Sequence, residues 1–97
     1  MAAGPYAWDE RKRAANLRKH GVDFAIVEDF DFETALVLPD DRLDYGEARY
    51  RAFGTIKARL YALVFTYREG RIRVISLRKS NAREIAAYAA SNKTPQA

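Results

Sequence analysis

The sequence contains no cysteine and a single histidine, and it has no long run of apolar residues. Without cysteine the chain cannot form disulfides, thiolate zinc sites or a cysteine nucleophile. One histidine is too few for a zinc centre built from imidazoles, so we expect no metal and no other cofactor. No apolar stretch approaches the roughly 20 residues of a membrane-spanning helix. Residues 1–4 also lack the charged start and apolar stretch of a signal peptide. These absences predict a cytoplasmic protein.

Positive charge is in modest excess over the whole chain. The 97 residues carry 17 lysines and arginines against 13 acidic residues, which gives a formal net charge of +4. The acids gather in the first half, whereas the bases gather over residues 11–19 and 68–83. This division indicates either a polyanionic ligand at one surface or ordinary solvated charge. The length predicts one domain over residues 1–97, with an ordered core over about 6–91 and a flexible polar tail over 92–97.

Three helices are indicated by their capping residues. Asp9 can cap a helix that runs to His20, and Asp23 can cap a second, short helix. Asn81 and Glu84 have the spacing of a capping box, which predicts an alanine-rich helix near the C-terminus. The two N-terminal helices and the last helix would flank the segment over which the strands are predicted.

Four strands are predicted between the helices, over residues 35–38, 49–56, 60–68 and 71–78. A two-residue turn at Glu69 and Gly70 would join the last two strands, and its register pairs Leu63 with Ser76 and places Arg78 on the bulky apolar face. The gaps between strands are short, so neighbours in sequence are expected to pair. The predicted fold is therefore α+β, with a four-stranded antiparallel meander as its sheet.

Two pairs of neighbouring residues could be catalytic, and each pair also has a non-catalytic interpretation. Lys19 and His20 would place a fixed cation beside an imidazole with a pKa of about 6.5, which suits proton transfer near a phosphate. The alternative is that these bases complement the helix dipole. Glu47 and Arg49, two apart on a strand, could point into one site as a base and a phosphate-binding fork. The alternative is an exposed ion pair.

The strand from Arg73 to Ser80 brings polar residues into an otherwise apolar segment. Buried guanidinium groups need an anionic ligand or a partner carboxylate, unless their aliphatic stems cover the sheet edge with the charged ends in water. No glycine-rich phosphate loop and no metal-ligand spacing occurs in the sequence. A nuclease built on this chain would therefore work without a metal. RNA suits such chemistry because its 2′-hydroxyl is an internal nucleophile.

Several motifs occur in an order and at spacings that resemble a known family. They are Tyr6-Ala7-Trp8-Asp9, residues 16–25, Asp29-Phe30-Asp31, Glu47-Ala48-Arg49, Gly54, Thr66-Tyr67-Arg68, residues 73–79, Glu84 and Tyr88. Together they resemble the BrnT toxins over nearly the whole chain. The resemblance implies a RelE-like ribonuclease fold and the toxin half of a type II toxin–antitoxin pair, which inhibits translation and growth by cleaving RNA.

The resemblance also implies partners and site residues. The antitoxin would be a BrnA-like, ribbon-helix-helix DNA-binding protein that masks the basic face, and the pair would repress its own operon. Operator DNA would be contacted only through the antitoxin, and no membrane is involved. The catalytic residues expected are Lys19, His20, Glu47, Arg49 and Arg78, with protons moved by His20 or Glu47. The residues expected to bind RNA are Arg68, Arg73, Lys79 and Tyr50. The alternative is a non-catalytic, small basic module that binds RNA or protein.

Overall fold

The computed structural model describes residues 4–92 and is organised around a five-stranded mixed sheet. Its elements are β1 (Tyr6–Ala7), α1 (Glu10–His20), a 3₁₀ helix (Phe24–Asp29), β2 (Leu36–Pro39), β3 (Tyr50–Ile56), β4 (Arg59–Arg68), β5 (Arg71–Lys79) and α2 (Ala82–Asn92). The strand order is β1-β5-β4-β3-β2, and only β1 runs parallel to its neighbour. Within residues 4–92, no helix has the length and hydrophobicity to span a membrane. Of the predicted flexible tail, residues 93–97 lie outside the described residues.

The predicted four-stranded antiparallel meander is wrong, because the sheet has a fifth strand that runs parallel to β5. This strand, β1, pairs with Ile72 and Arg73. The N–H of Ile72 also donates to the carbonyl of Pro5 at 2.8 Å, and the Arg71 guanidinium donates to the carbonyl of Gly4 at 3.0 Å. Two residues are too few to show the alternation by which a strand is recognised, and the partner strand lies at the far end of the chain. Neither feature leaves a local signal in the sequence.

The helix boundaries follow the predicted caps. The Asp9 carboxylate accepts a hydrogen bond from the N–H of Arg11 at 2.7 Å, and α1 is followed by Gly21 at a φ of 71°. The Asp23 carboxylate accepts from the N–H of Ala25 at 2.9 Å. Both caps are confirmed, although the short second helix is a 3₁₀ helix rather than an α-helix.

The β4–β5 hairpin keeps its predicted register only near the turn. Glu69 and Gly70 both have positive φ, 57° and 75°, as a two-residue hairpin turn requires. Pairing follows the prediction as far as Phe65 and Val74, and a β-bulge then skips Ile75. Because a bulge adds one residue to a single strand, every later pair is displaced by one.

The bulge decides which face each later residue of β5 occupies. Leu63 lies opposite Leu77 rather than Ser76, and both leucines are fully buried. Arg78 lies opposite Ala62, on the other side of the sheet from the leucines. The prediction placed Arg78 on the side that receives the helical segments, and the one-residue displacement reverses that assignment.

The hydrophobic core lies against one face of the sheet, which we call the core face. The segment after α1 supplies Val22, Phe24, Val27 and Phe30, and the sheet supplies Ala52, Ile56, Leu63, Phe65, Val74 and Leu77. Gly54 lies so close to this packing that a Cβ there would be 2.6 Å from the Cζ of Phe30. The opposite face, which we call the open face, bears Arg51, Val64, Thr66, Arg73 and Arg78.

One buried side chain attaches α1 to the edge of the sheet. The amide nitrogen of Asn16 donates to the carbonyls of Leu77 at 2.7 Å and Val22 at 2.9 Å, and the N–H of Leu77 donates to the amide oxygen of Asn16 at 3.2 Å. Asn16 thus pairs with both backbone groups of Leu77 in the way that a neighbouring strand would. The contact positions the end of α1, with Lys19 and His20, beside the last residues of β5.

Candidate functional site

A hollow of about 210 Å³ opens on the open face between the loop after β2, the sheet and the start of α2. Its charged lining consists of Arg42, Arg49, Arg51, Arg78, Asp40 and Glu84. Tyr45, Phe53, Val64 and Ser76 are among its other lining residues. We call it the arginine hollow. It exists because β3, β4 and β5 are neighbours in the sheet, so that residues far apart in sequence meet over their shared face.

Arg78 forms a two-bond ion pair with Glu84 at one wall of the hollow. Its Nη1 and Nη2 donate to the Glu84 carboxylate at 2.9 and 2.7 Å. The same carboxylate accepts from the N–H of Asn81 at 2.9 Å, so the predicted capping box is confirmed. These hydrogen bonds lower the pKa of Glu84, chiefly through Arg78, and raise the pKa of Arg78. Glu84 is therefore ionised at neutral pH.

A second wall is formed around Arg49. Its Nε donates to Glu47 at 3.1 Å, and its guanidinium carbon lies 4.2 Å from the centre of the Tyr45 ring. Arg68 donates to the other oxygen of Glu47 at 2.9 Å. The hydrogen bonds from Arg68 and Arg49 lower the pKa of Glu47. One carboxylate thus orients two arginines of the open face.

The loop that carries this wall is fixed by a buried carboxylate. The Asp40 side chain is 1% exposed and accepts from the Nε and Nη2 of Arg42 at 2.6 and 2.8 Å. The hydroxyl of Tyr45 donates to it at 3.3 Å, and the N–H of Asp40 donates to the carbonyl of Arg49 at 2.8 Å. The hydrogen bonds from Arg42 are the main reason that the pKa of Asp40 falls to about 2. In the acidic loop, Asp40 therefore serves the site by positioning Tyr45 and Arg49.

Arg51 is a charged lining residue that the sequence analysis does not name. Its Nε is buried and makes no hydrogen bond within the described part of the chain, and its guanidinium carbon lies 6.0 Å from the centre of the Phe53 ring. The alternation of side chains along a strand could have found it, since Arg51 is two residues after Arg49 and shares its face.

The structure brings part of the predicted catalytic set together. Arg49 and Arg78 line the hollow. Glu47 lies next to the lining and accepts a hydrogen bond from Arg49. His20 lies outside the lining, but burial, the charge of Lys19 and the charge of Arg78 lower its pKa from its ordinary value. His20 is therefore mostly neutral at pH 7, and it lies close enough to Arg78 for that charge to lower its pKa.

The residues predicted to bind RNA are divided between the two faces. Arg73 lies opposite Thr66 on the open face. Arg68 is held at the same face by its hydrogen bond to Glu47. The others lie on the core face. Tyr50 packs there with its ring centre 5.5 Å from that of Phe65 and 5.9 Å from that of Tyr67. Lys79 pairs with Tyr61 and lines a separate depression on that side. Tyr50 and Lys79 are thus outside the arginine hollow.

Metal-ligating side chains do not cluster in this region. Among residues 4–92, no group of three or more histidine, cysteine, aspartate or glutamate side chains could hold a metal ion.

Fold and site together define a small α+β protein with a cluster of arginines over one face of a mixed sheet. The model of the BrnT family, described as the ribonuclease toxin of a type II toxin–antitoxin system, matches residues 8–84. The chain belongs to this family of ribonuclease toxins, which confirms the resemblance seen in the sequence. The matched range includes every residue of the arginine hollow. A comparison with curated protein sequences gives no significant match. As a type II toxin, the protein pairs with an antitoxin and acts on RNA.

Proposed function

We propose that the arginine hollow is the place where this toxin binds and cleaves RNA, without a metal ion, so that translation and growth are inhibited. The observation that carries the proposal is that Arg49, directly before β3, and Arg78, near the end of β5, converge on one hollow. Guanidinium groups bind phosphate oxygens in a fixed planar geometry. They also stabilise the negative charge that develops on phosphorus as a nucleophile attacks.

The reaction needs only groups that the chain supplies. The 2′-oxygen of a ribose attacks the adjacent phosphorus, its proton passes to a base, and the bond to the 5′-oxygen of the next nucleotide breaks as that oxygen is protonated. The products are a 2′,3′-cyclic phosphate and a free 5′-hydroxyl.

His20 is the better of the two candidate bases. Glu47 accepts hydrogen bonds from two guanidinium groups, and its lowered pKa makes it a weak proton acceptor. His20 has a lowered pKa and is mostly unprotonated at pH 7, so its imidazole can take the proton of the 2′-hydroxyl. In this assignment Glu47 orients Arg49, and Lys19 adds a positive charge beside the reacting phosphate.

The flanking backbone would follow the open face, where Arg68 and Arg73 lie. Lys79 and Tyr50 would contact RNA only where the strand passes to the core face.

A BrnA-like, ribbon-helix-helix antitoxin would neutralise the toxin in the cytoplasm by covering the arginine hollow. The complex would repress its operon, with the antitoxin supplying the DNA contacts. The charge of the hollow supports this proposal, because an acidic segment of a partner would be attracted to the same guanidinium groups.

The test is cleavage of a labelled single-stranded RNA by the purified protein in EDTA. We expect scission of RNA, none of DNA of the same sequence, and a loss of at least about tenfold in His20→Gln and Arg78→Gln. Arg11→Gln, at an exposed position on α1, is the control with the same change of charge as Arg78→Gln. Unchanged cleavage in both site variants would overturn the assignment. Binding without scission by the wild type would favour a non-catalytic binding module.

A second experiment addresses the partner. Expression of the toxin alone should arrest growth, and co-expression of the neighbouring gene should restore it. Restoration that fails with an intact, expressed neighbour would exclude that neighbour as the antitoxin.

A further inference from the structure

Charge in the arginine hollow is paired at every guanidinium group but one. The ion pairs are Arg42 with Asp40, Arg49 with Glu47 and Arg78 with Glu84. Among residues 4–92, no carboxylate lies within ion-pair distance of Arg51. Arg51 is thus the lining guanidinium group without a carboxylate. Glu47 lies outside the lining and is shared with Arg68, so the charges that line the hollow are four guanidinium groups and two carboxylates.

This excess of positive charge persists at neutral pH. Hydrogen bonds from arginine lower the pKa of Asp40, Glu47 and Glu84, so all three carboxylates are ionised. The charge of Arg51 contributes slightly to the lowered pKa of Glu84, after the larger effect of Arg78, so Arg51 is near that carboxylate without pairing to it. The residues that line the hollow therefore keep a net positive charge at neutral pH.

Arg51 is also held at a cost. Its Nε is out of contact with water and without a hydrogen-bond partner in the described residues. A buried polar group without a partner destabilises the folded protein by about 1–3 kcal/mol. A ligand that binds in the hollow can supply the missing hydrogen-bond partner.

We infer that Arg51 anchors a single phosphodiester group of the RNA strand in the arginine hollow. The inference rests on the proposed function and identifies the arginine of the hollow that is free to pair with RNA. Arg51 is the lining guanidinium group without a carboxylate, and its Nε lacks a hydrogen-bond partner in the described residues, so a phosphodiester oxygen can supply both. Arg49 can contribute hydrogen bonds to the same phosphate through its Nη atoms, because Glu47 holds it through its Nε.

The test measures binding of a single-stranded DNA oligonucleotide, which carries the same phosphodiesters but no 2′-hydroxyl and is not cleaved. Arg51→Gln should weaken binding about tenfold and lower the slope of log affinity against log salt by about 0.7, the value for one phosphate contact on a single strand. Arg51→Lys should keep the slope but bind less tightly than wild type, because lysine lacks the planar fork. Arg11→Gln should change neither quantity.

Urea unfolding distinguishes a binding role from a structural one. Arg51→Gln should be at least as stable as the wild type, because the substitution removes an Nε–H that is buried without a hydrogen-bond partner in the described residues. Loss of stability together with loss of binding would overturn the inference.

Two further outcomes separate this inference from the proposed function. A wild type that binds through Arg51 but leaves RNA intact would refute the ribonuclease proposal and support the anchor. If Arg51→Gln weakens binding of the antitoxin and leaves oligonucleotide binding unchanged, Arg51 belongs to a protein interface and the inference fails.

Discussion

The carboxylate of Glu84 in α2 binds the guanidinium group of Arg78 in β5 through two hydrogen bonds of 2.9 and 2.7 Å. Most side chains of α2 are exposed, and Ile85, a large apolar residue of the helix, is 42% exposed. The ion pair is therefore a main attachment of the start of α2 to the open face. It also covers a guanidinium group that a phosphate would use.

Removing the charge of Glu84 should expose Arg78 to ligand. In Glu84→Gln the side-chain amide can still complete the capping box with Asn81, because glutamine serves at this position. We expect single-stranded oligonucleotide binding to tighten by about fivefold, which corresponds to about 1 kcal/mol. The free energy of unfolding should fall by about 1 kcal/mol, since a hydrogen-bonded ion pair that is only partly exposed is lost. Fluorescence anisotropy and urea unfolding measure the two quantities.

Glu10→Gln is the matched control for this variant, because Glu10 pairs with Arg13 in the first turn of α1 and lies outside the hollow. It should leave binding unchanged. Weaker binding in Glu84→Gln would mean that the carboxylate orients Arg78 for the ligand instead of competing with it.

The pH dependence of cleavage should report on His20. Burial first, and then the charges of Lys19 and Arg78, lower the pKa of His20 from 6.5. Since only the neutral imidazole accepts a proton, kcat/KM should rise with pH through a midpoint below 6.5 and be level at pH 7. Lys19→Gln removes one of the charges that lower the pKa, so its midpoint should move to higher pH. His20→Gln should lack the acid limb.

The same shift affects stability, with a definite sign. A lowered folded pKa means that the unfolded chain binds the proton more readily, so stability decreases as the pH falls below about 6.5. His20→Gln should not show this decrease. If the acid limb of the rate profile persists in His20→Gln, another group titrates there and His20 is not the base.

The parts of the fold that the sequence predicts well are those determined by neighbouring residues. Asp9, Asp23 and Asn81 each accept a hydrogen bond from a backbone N–H two or three residues later, so their role can be recognised within one turn. The Glu69 and Gly70 turn is equally local, because it depends on positive φ at two adjacent positions.

What the sequence misses depends on distant contacts. The parallel pairing of β1 with β5 and the bulge at Ile75 both arise from packing between segments far apart in the chain. The bulge matters most for the site, because it moves Arg78 from the core face to the open face. Arg49 and Arg78 are identified by residue type and by the family resemblance, but their meeting over one face depends on that displacement.

Asn16 should be far more important for stability than its place on a short, mostly exposed helix suggests. Asn16→Ala removes three hydrogen bonds and leaves buried backbone groups of Leu77 and Val22 without partners. We expect a loss of about 3 kcal/mol in the free energy of unfolding, from a penalty of about 1–3 kcal/mol per unsatisfied buried group. Hydrogen exchange at the amide of Leu77 should become faster.

Ala15→Gly is the control for helix propensity, since residue 15 is exposed on the same helix and the change costs about 1 kcal/mol. An Asn16→Ala variant no less stable than Ala15→Gly would show that α1 is attached to the sheet by other contacts.

Acid should release the loop that carries Tyr45 and Arg49, because Asp40 is its buried anchor. The pKa of Asp40 falls from 3.8 to about 2, so its stabilising effect is complete above about pH 4 and is lost as the pH falls towards 2. The shift corresponds to about 2 to 3 kcal/mol before screening, and to about 1 kcal/mol once solvent screening of the half-exposed Arg42 is counted. Asp40→Asn should therefore unfold more easily than wild type in urea at pH 7 and equally easily near pH 2. The exposed neighbour Asp41 provides the control, and equal losses in Asp41→Asn and Asp40→Asn would refute the anchoring role.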